Sequence, residues 1–215
     1  MSVLGSVHGR LVFGRRIRVL SDRLARMLPL GSTVLDVGCG DGSLDKLLLQ
    51  QRPDLCLQGV DVLVRPATRI PVQPFDGRHL PFPDASFDAV LLVDVLHHAE
   101  DAMQLLREAA RVTRDSVVIK DHLRDRFLAG PMLRFMDYLG NAPHGVRLPY
   151  NYWPRRQWTL AWENAGLDTA EFHSDLRLYP PPFEHLFGGS LQFLARLRRG
   201  SRPTVGGEPL GGKRV

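Results

Sequence analysis

Residues Val34 to Ser43 read Val-Leu-Asp-Val-Gly-Cys-Gly-Asp-Gly-Ser, a short apolar run through Asp36 that enters three glycines at alternate positions, Gly38, Gly40 and Gly42. The pattern predicts a strand, a tight turn and a helix start. Glycine tolerates positive φ and close backbone approach, as a ligand loop at the carboxyl end of a parallel strand requires. A dinucleotide fingerprint, G-x-G-x-x-G, would place its third glycine at position 43, which is Ser43. Asp36 and Asp41 flank the turn as well, and two carboxylates there repel a pyrophosphate. A cofactor carrying positive charge suits this loop better.

The run D-x-G-x-G-x-G resembles motif I of the class I S-adenosylmethionine (SAM)-dependent methyltransferases, whose cofactor carries a sulfonium and an α-ammonium group. The resemblance continues down the chain. A helix is predicted over Ser43 to Gln51, stopped near Arg52-Pro53, and a second apolar run, Leu55 to Val60, ends at Asp61. A carboxylate at that strand tip suits two ribose hydroxyls, and the resemblance implies this role for Asp61, with Val62 beside it. A helix is expected after Asp61, as after Asp36. The segment Asp76 to Asp88 is similar to the D-x-x-x-L-P-F-x-D-x-S-F-D stretch of the type 11 branch, which includes the ubiquinone and menaquinone C-methyltransferases. In that family the acid at Asp76 faces the adenine amino group and the next amide, here that of Gly77, lies near the ring. A fourth strand over Ala89 to Asp94 leads into Val95-Leu96-His97-His98. The matches cover residues 32 to 120, and imply a cofactor site of Asp36, Gly38, Cys39, Gly40, Gly42, Asp61, Val62, Asp76, Gly77, Val93, Asp94 and His97. Cys39 is expected as a small filler, since no Cys-x-x-Cys framing accompanies it. Asp84 and Asp88 are expected as turn and strand-entry residues. No metal is expected.

The expected fold is α/β, a Rossmann-like doubly wound sheet of seven strands in the order 3-2-1-4-5-7-6, with the last strand antiparallel. A 215-residue chain, 44% hydrophobic, suffices for one such unit. Residues 31–197 form the expected methyltransferase domain, preceded by an amphipathic cap helix within 1–30 that carries Leu11, Ile17, Leu20, Leu24 and Leu28 at helical spacing. The net charge of +5 sits at the ends. Residues 1–35 hold six arginines against Asp22, and residues 196–215 six basic residues against Glu208, whereas residues 36–101 hold eleven acidic residues against five basic. That distribution argues against a stable nucleic-acid partner. The stretch 198–215 reads as a disordered basic tail, and the basic cap helix is a candidate for weak membrane-surface contact. No run approaches the ~20 apolar residues of a membrane span, and no apolar leader core opens the chain, so a cytoplasmic location is expected.

After a helix over Asp101 to Val112 and a fifth strand over Ser116 to Lys120, the family's usual Leu-Lys-Pro-Gly-Gly turn is replaced by Thr113-Arg114-Asp115. Residues 121–153 follow a strand end that must face the cofactor, and are read as a substrate lid. Here an amphipathic helix near Pro131 carries Met132 and Met136, a Gly/Pro loop carries His144, and Tyr150, Asn151, Tyr152 and Trp153 follow. Such a collection of rings beside polar groups suits a small, largely apolar acceptor. Pro154 opens a helix with Trp158, Trp162 and Ala165 inward, ending at Gly166, and strands over Thr169 to Leu178 and Ser190 to Leu197 finish the sheet.

Methyl transfer from a sulfonium is an in-line displacement, so positioning and water exclusion dominate. A phenol or enol acceptor also profits from a general base. His122 leads the candidates, followed by His144 and His98, with Asp121 able to orient a neighbour; His97 can also serve. The expected activity is transfer of methyl to O or C of a small organic acceptor. Alternatives are a nucleic-acid methyltransferase, a nicotinamide-dependent oxidoreductase, and a non-catalytic SAM-binding regulator.

Overall fold

A computed structural model of the chain describes residues 3–134, 151–181, 183–184 and 188–200. Its strands are β1 (Thr33–Val37), β2 (Cys56–Asp61), β3 (Val72–Pro74), β4 (Phe87–Val93), β5 (Thr113–His122), β6 (Leu167–His173) and β7 (Gln192–Arg199). The helices are α1 (Val3–Met27), α2 (Ser43–Gln51), α3 (Ala102–Val112), α4 (129–134 among the described residues) and α5 (Arg155–Asn164). The seven strands form one sheet in the order β3-β2-β1-β4-β5-β7-β6. Strands β1 to β5 pair in parallel, and β7 runs antiparallel to both β5 and β6. Both the expected order and the antiparallel finish are present.

Alternation along the central strands splits the interior into two cores, because successive side chains leave a strand on opposite faces. Leu35, Val37, Val90, Leu92, Val117 and Ile119 join Leu105, Leu106 and Ala109 of α3 and Trp158 and Trp162 of α5. Val34, Ala89, Leu91 and Val118 instead meet Leu20, Leu24 and Met27 of α1 and Leu48 of α2. The same alternation puts Asp36 on the α1/α2 face, in step with Val34.

The junctions follow from single residues. Arg52, just past α2, donates to the carbonyls of Ala25, Leu28 and Pro29 at 2.6, 3.1 and 2.9 Å and also pairs with Asp54, so one guanidinium covers the open carbonyl end of α1. Asp101 caps α3, accepting from the Gln104 amide at 2.9 Å. Gly166, at φ +72°, closes the turn after α5 as expected.

Several boundaries differ from expectation. No helix forms between β2 and β3: residues 62–71 are irregular. Pro66 and Pro71 interrupt any helical ladder there, and the Leu63 amide is taken by Asp61. Thr113-Arg114-Asp115 is not a connection but the start of β5; nothing in it breaks an extended chain, and Arg114 fastens it to Asp88 at 2.9 Å. Strand β6 stops at His173, and Leu176 and Leu178 go into the α1-side core. Strand β7 continues to Arg199, past the expected domain end at 197. Among the described residues, no helix is long and apolar enough to cross a membrane.

Candidate active site

The three motif glycines all take left-handed φ, at +74°, +63° and +73° for Gly38, Gly40 and Gly42. A Cβ on Gly38 would stand 2.6 Å from Val95 Cγ2, and one on Gly42 2.8 Å from Ile70 Cγ1, whereas Gly40 faces open space. The loop is pinned from β2. The Gly38 amide donates to the Val60 carbonyl at 2.7 Å, and Asp61 accepts from the amides of Gly40 and Leu63, both at 2.8 Å. Two carboxylate oxygens accepting one bond each keep further lone pairs for a ribose diol.

Asp76 accepts from the amides of Arg78 and His79 at 2.7 and 2.6 Å and meets the His79 ring at 2.9 Å. These bonds hold its carboxyl well below the usual carboxylate range. Gly77, at φ +82°, lies so close to exposed Val62 that a Cβ would sit 3.2 Å from its Cγ1. Asp61, Val62, Asp76 and Gly77 thus come together beside the glycine loop, as the sequence suggested. Cys39 packs over Gly59, where a Cβ would stand 2.3 Å from its Sγ. Burial and the nearby Asp36, Asp45 and Asp61 push its thiol far up, so it is no nucleophile.

Asp36 is buried with Oδ1 unpartnered, and Asp45, in the first turn of α2, is buried with both oxygens unpartnered. Burial first, and then each other's proximity, raises Asp36 well above its ordinary value. Sequence reading missed Asp45 entirely. The orphaned carboxylates, together with a glycine cradle that rejects a Cβ at Gly38, fit a cofactor bearing an ammonium group.

A second cluster lies at the carboxyl ends of β4 and β5. Asp94, at φ +58°, directly follows β4 and binds both Lys120 of β5 and Arg16 of α1. Burial works to raise Asp94, but the two cations prevail and hold it far below the usual range. Neither cation was singled out from sequence as part of a site. His97 sits on a single 3-10 turn, Leu96–His98, with its Nδ1 2.7 Å from Asp121 Oδ1. The His97 ring lies 4.6 Å, centroid to centroid, from His122, 3.9 Å from His98 and 5.8 Å from Tyr152. His122 is the last residue of β5, and burial with the Lys120 charge pushes it down, so it is neutral near pH 7.

The remaining expected residues divide. Asn151 holds the histidine turn, its amide donating to the His97 carbonyl at 3.2 Å and its Nδ2 to the Ala99 carbonyl at 2.9 Å. Tyr152 and Met132 join Ala129, Leu133 and Leu191 in a small cluster of their own. Trp153 does not face the histidines: its ring lies 4.8 Å from Trp158 and packs on the α5-side core. His144, Met136 and Tyr150 lie outside the described residues. Asp94, His97 and His122 offer atoms within 4.8 Å of one another, a spacing an ion could use. Lys120 and Arg16, already on Asp94, make that corner unfavourable for a further cation.

A doubly wound sheet in this order, with a glycine loop and acids at the carboxyl ends of β1 and β2, defines the class I methyltransferase fold. Across residues 12–171 the chain matches the family described as "Methyltransferase domain", and it belongs to that family. SAM is the cofactor of the class, and the residues present fit it. The chain is similar to the 27-O-demethylrifamycin SV methyltransferase of Amycolatopsis mediterranei, 36% identical over an alignment of 110 residues that covers 44% of this chain and 40% of that protein. It is also similar to the tRNA (carboxymethyluridine(34)-5-O)-methyltransferase of Schizosaccharomyces pombe, 33% identical over 100 residues, 45% of this chain and 42% of that one. The match therefore spans less than half the length of these curated relatives. Among solved structures, the Burkholderia thailandensis 1,6-didemethyltoxoflavin-N1-methyltransferase, with bound 1,6-didemethyltoxoflavin and S-adenosylhomocysteine, superposes with a TM-score of 0.63 at 19% identity, covering 86% of this chain and 79% of that one.

Proposed function

We propose that the protein transfers a methyl group from SAM to O or C of a small, largely apolar organic acceptor that must lose a proton to react, such as a phenol or enol. The observation that carries this is the buried His97–Asp121 pair beside His122 and Tyr152, at the strand ends where an open α/β sheet binds its ligand. Bound SAM supplies an electrophilic methyl on a sulfonium.

The chain does the rest. Asp61 takes the ribose hydroxyls, Val62, Asp76 and Gly77 frame the adenine, and the glycine loop with Cys39, Val93 and Asp94 borders the methionine end. Asp121 accepts the Nδ1 proton of His97 and so fixes the tautomer in which Nε2 is the basic nitrogen. That makes His97, rather than His122 alone, the residue to receive the acceptor's proton. Neutral His122 and Tyr152 pack around it and keep water out. Residues 121–153 serve as the acceptor lid of a domain that runs from 31 through the end of β7 at Arg199, with 1–30 as its cap and the residues beyond as a tail.

The fission-yeast relative's tRNA substrate supplies the competing acceptor class. Incubation with methyl-tritiated SAM, a panel of phenols and enols, and bulk tRNA separates the two. Label is expected in a phenol or enol product; label in RNA alone would overturn the reading.

A further inference from the structure

Asp45 has no part in the chemistry above. It is fully buried in the first turn of α2, directly behind the glycine loop, and neither of its oxygens has a hydrogen-bond partner. It lies against Asp36, itself buried with one oxygen unpartnered. The other ionisable groups facing the pair are Asp61 and Asp41, with the Cys39 thiol between. Arg69, from the segment between β2 and β3, is turned to Asp41 at 3.6 Å. Among the described residues no ion pair relieves either Asp36 or Asp45.

Two facing carboxylates are both acceptors, and they can bond to each other only through a proton. An unpaired buried charge is costly, so the site must hold either that proton or a cation brought from outside. The glycine loop borders the cluster, and a Cβ added at Gly40 on that loop would meet nothing within 4 Å.

We propose that Asp45 is a cofactor-recognition residue that acts with Asp36: the pair holds one proton in the free protein and gives it to solvent when the α-ammonium of SAM arrives. The exchange balances, since one positive charge enters as one proton leaves. Burial as the leading cause, with Asp45 pushed up to about 6 and Asp36 well above its ordinary value, agrees with a shared proton near neutral pH. The pair thereby makes cofactor affinity depend on pH, and it selects for the amino-acid end of the cofactor rather than for the sulfonium. This inference rests on SAM being the cofactor.

Calorimetric titration at pH 7 in phosphate, HEPES and Tris, whose ionisation enthalpies differ, reads the proton directly. Wild-type protein is expected to release about one proton per molecule bound, equally for SAM and S-adenosylhomocysteine, which both carry the ammonium. Affinity should weaken about tenfold for each pH unit below the pair's upper titration. Asp45→Asn, which keeps the shape and removes one charge, should bind both ligands with almost no proton release and a flat pH profile. If both ligands bind wild-type protein without releasing a proton, or if Asp45→Asn releases as many as wild type, the proposal is wrong. If neither ligand binds, the cofactor reading itself fails. Should Asp45→Asn not fold, the wild-type buffer dependence decides alone.

Discussion

His97 Nδ1 lies 2.7 Å from Asp121 Oδ1, and both side chains are closed off from solvent. Burial works to raise Asp121, yet His97 and His122 hold it well below the usual range, so it stays ionised at any working pH. A fixed carboxylate on one imidazole nitrogen makes the other the basic one. Asp121→Asn keeps the size but can present its amide to His97 and stabilise the wrong tautomer. Turnover is expected to fall about 10²- to 10⁴-fold while the SAM Kd stays within about twofold. The rate–pH profile should also lose the limb that reports the base. A variant with near wild-type turnover and an unchanged profile would remove the pair from the chemistry.

Gly38 is confined in two independent ways, by its φ of +74° and by Val95 Cγ2 at 2.6 Å from a would-be Cβ. Gly38→Ala is expected to cost about 2 to 5 kcal/mol, from left-handed strain and overpacking together. Adding Val95→Ala should restore the overpacking part and leave the strain. Urea unfolding of the two single variants and the double variant gives the coupling; strictly additive losses would show that the two residues do not press on each other.

Asp61 ties the glycine loop to β2 through the amides of Gly40 and Leu63. Asp61→Ala should weaken SAM and S-adenosylhomocysteine alike by about 1 to 3 kcal/mol, the usual range for a lost charged bond. Asp61→Asn, which can still accept from one amide, should fall between. If the melting temperature drops and cofactor affinity does not, Asp61 belongs to the loop and not to the ribose.

The parts of this molecule that are local in the chain were legible from it. The turn Gly38–Gly42 is encoded by residues whose backbone demands are their own, and apolar runs ending in Asp36, Asp61 and Asp94 locate the strands, while their order in the sheet is what the family resemblance implied. The region 62–71 misled because alternation of strand and helix suggested a helix that Pro66 and Pro71 forbid. Asp45 and Lys120 were invisible for another reason: periodicity assigns charged residues to the surface, and both are fully buried. Nothing in the spacing announces Asp45 against Asp36, or Lys120 against Asp94, because those contacts are made by packing α2 on β1 and β5 on β4. The partner of Asp121 was likewise open among four histidines, and only the 3-10 turn after β4 brings His97 to it.

Lys120 is fully buried, with its ammonium on Asp94, and Arg16 reaches the same carboxylate from α1. Breaking a buried pair by removing one member leaves the other charge exposed to a poor medium. Lys120→Met is expected to destabilise the fold by about 3 to 5 kcal/mol. Arg16→Met should cost less, since the Arg16 side chain is part-exposed, and should loosen α1 in hydrogen exchange before the sheet. Equal losses for the two variants, with no change in α1 protection, would contradict this ordering.

The Asp36–Asp45 pair also carries a stability signature that needs no ligand. Burial pushes Asp45 up to about 6 from an ordinary 3.8. Between those values the folded protein keeps a proton on Asp45 that the unfolded chain has released, so stability falls as pH rises from about 4 through about 6; the proton shared at pH 7 is a second one, held through Asp36, which is itself raised well above its ordinary value. Asp45→Asn removes that loss. The variant should therefore melt higher than wild type at pH 8, by an amount on the order of 3 kcal/mol or about 6 to 12 °C. Near pH 4, where the wild-type pair is protonated, the two proteins should melt together. Thermal denaturation across pH 4 to 8 without cofactor measures the gap, and a difference that stays constant over the range, or one that shrinks as pH rises, would contradict a titrating pair.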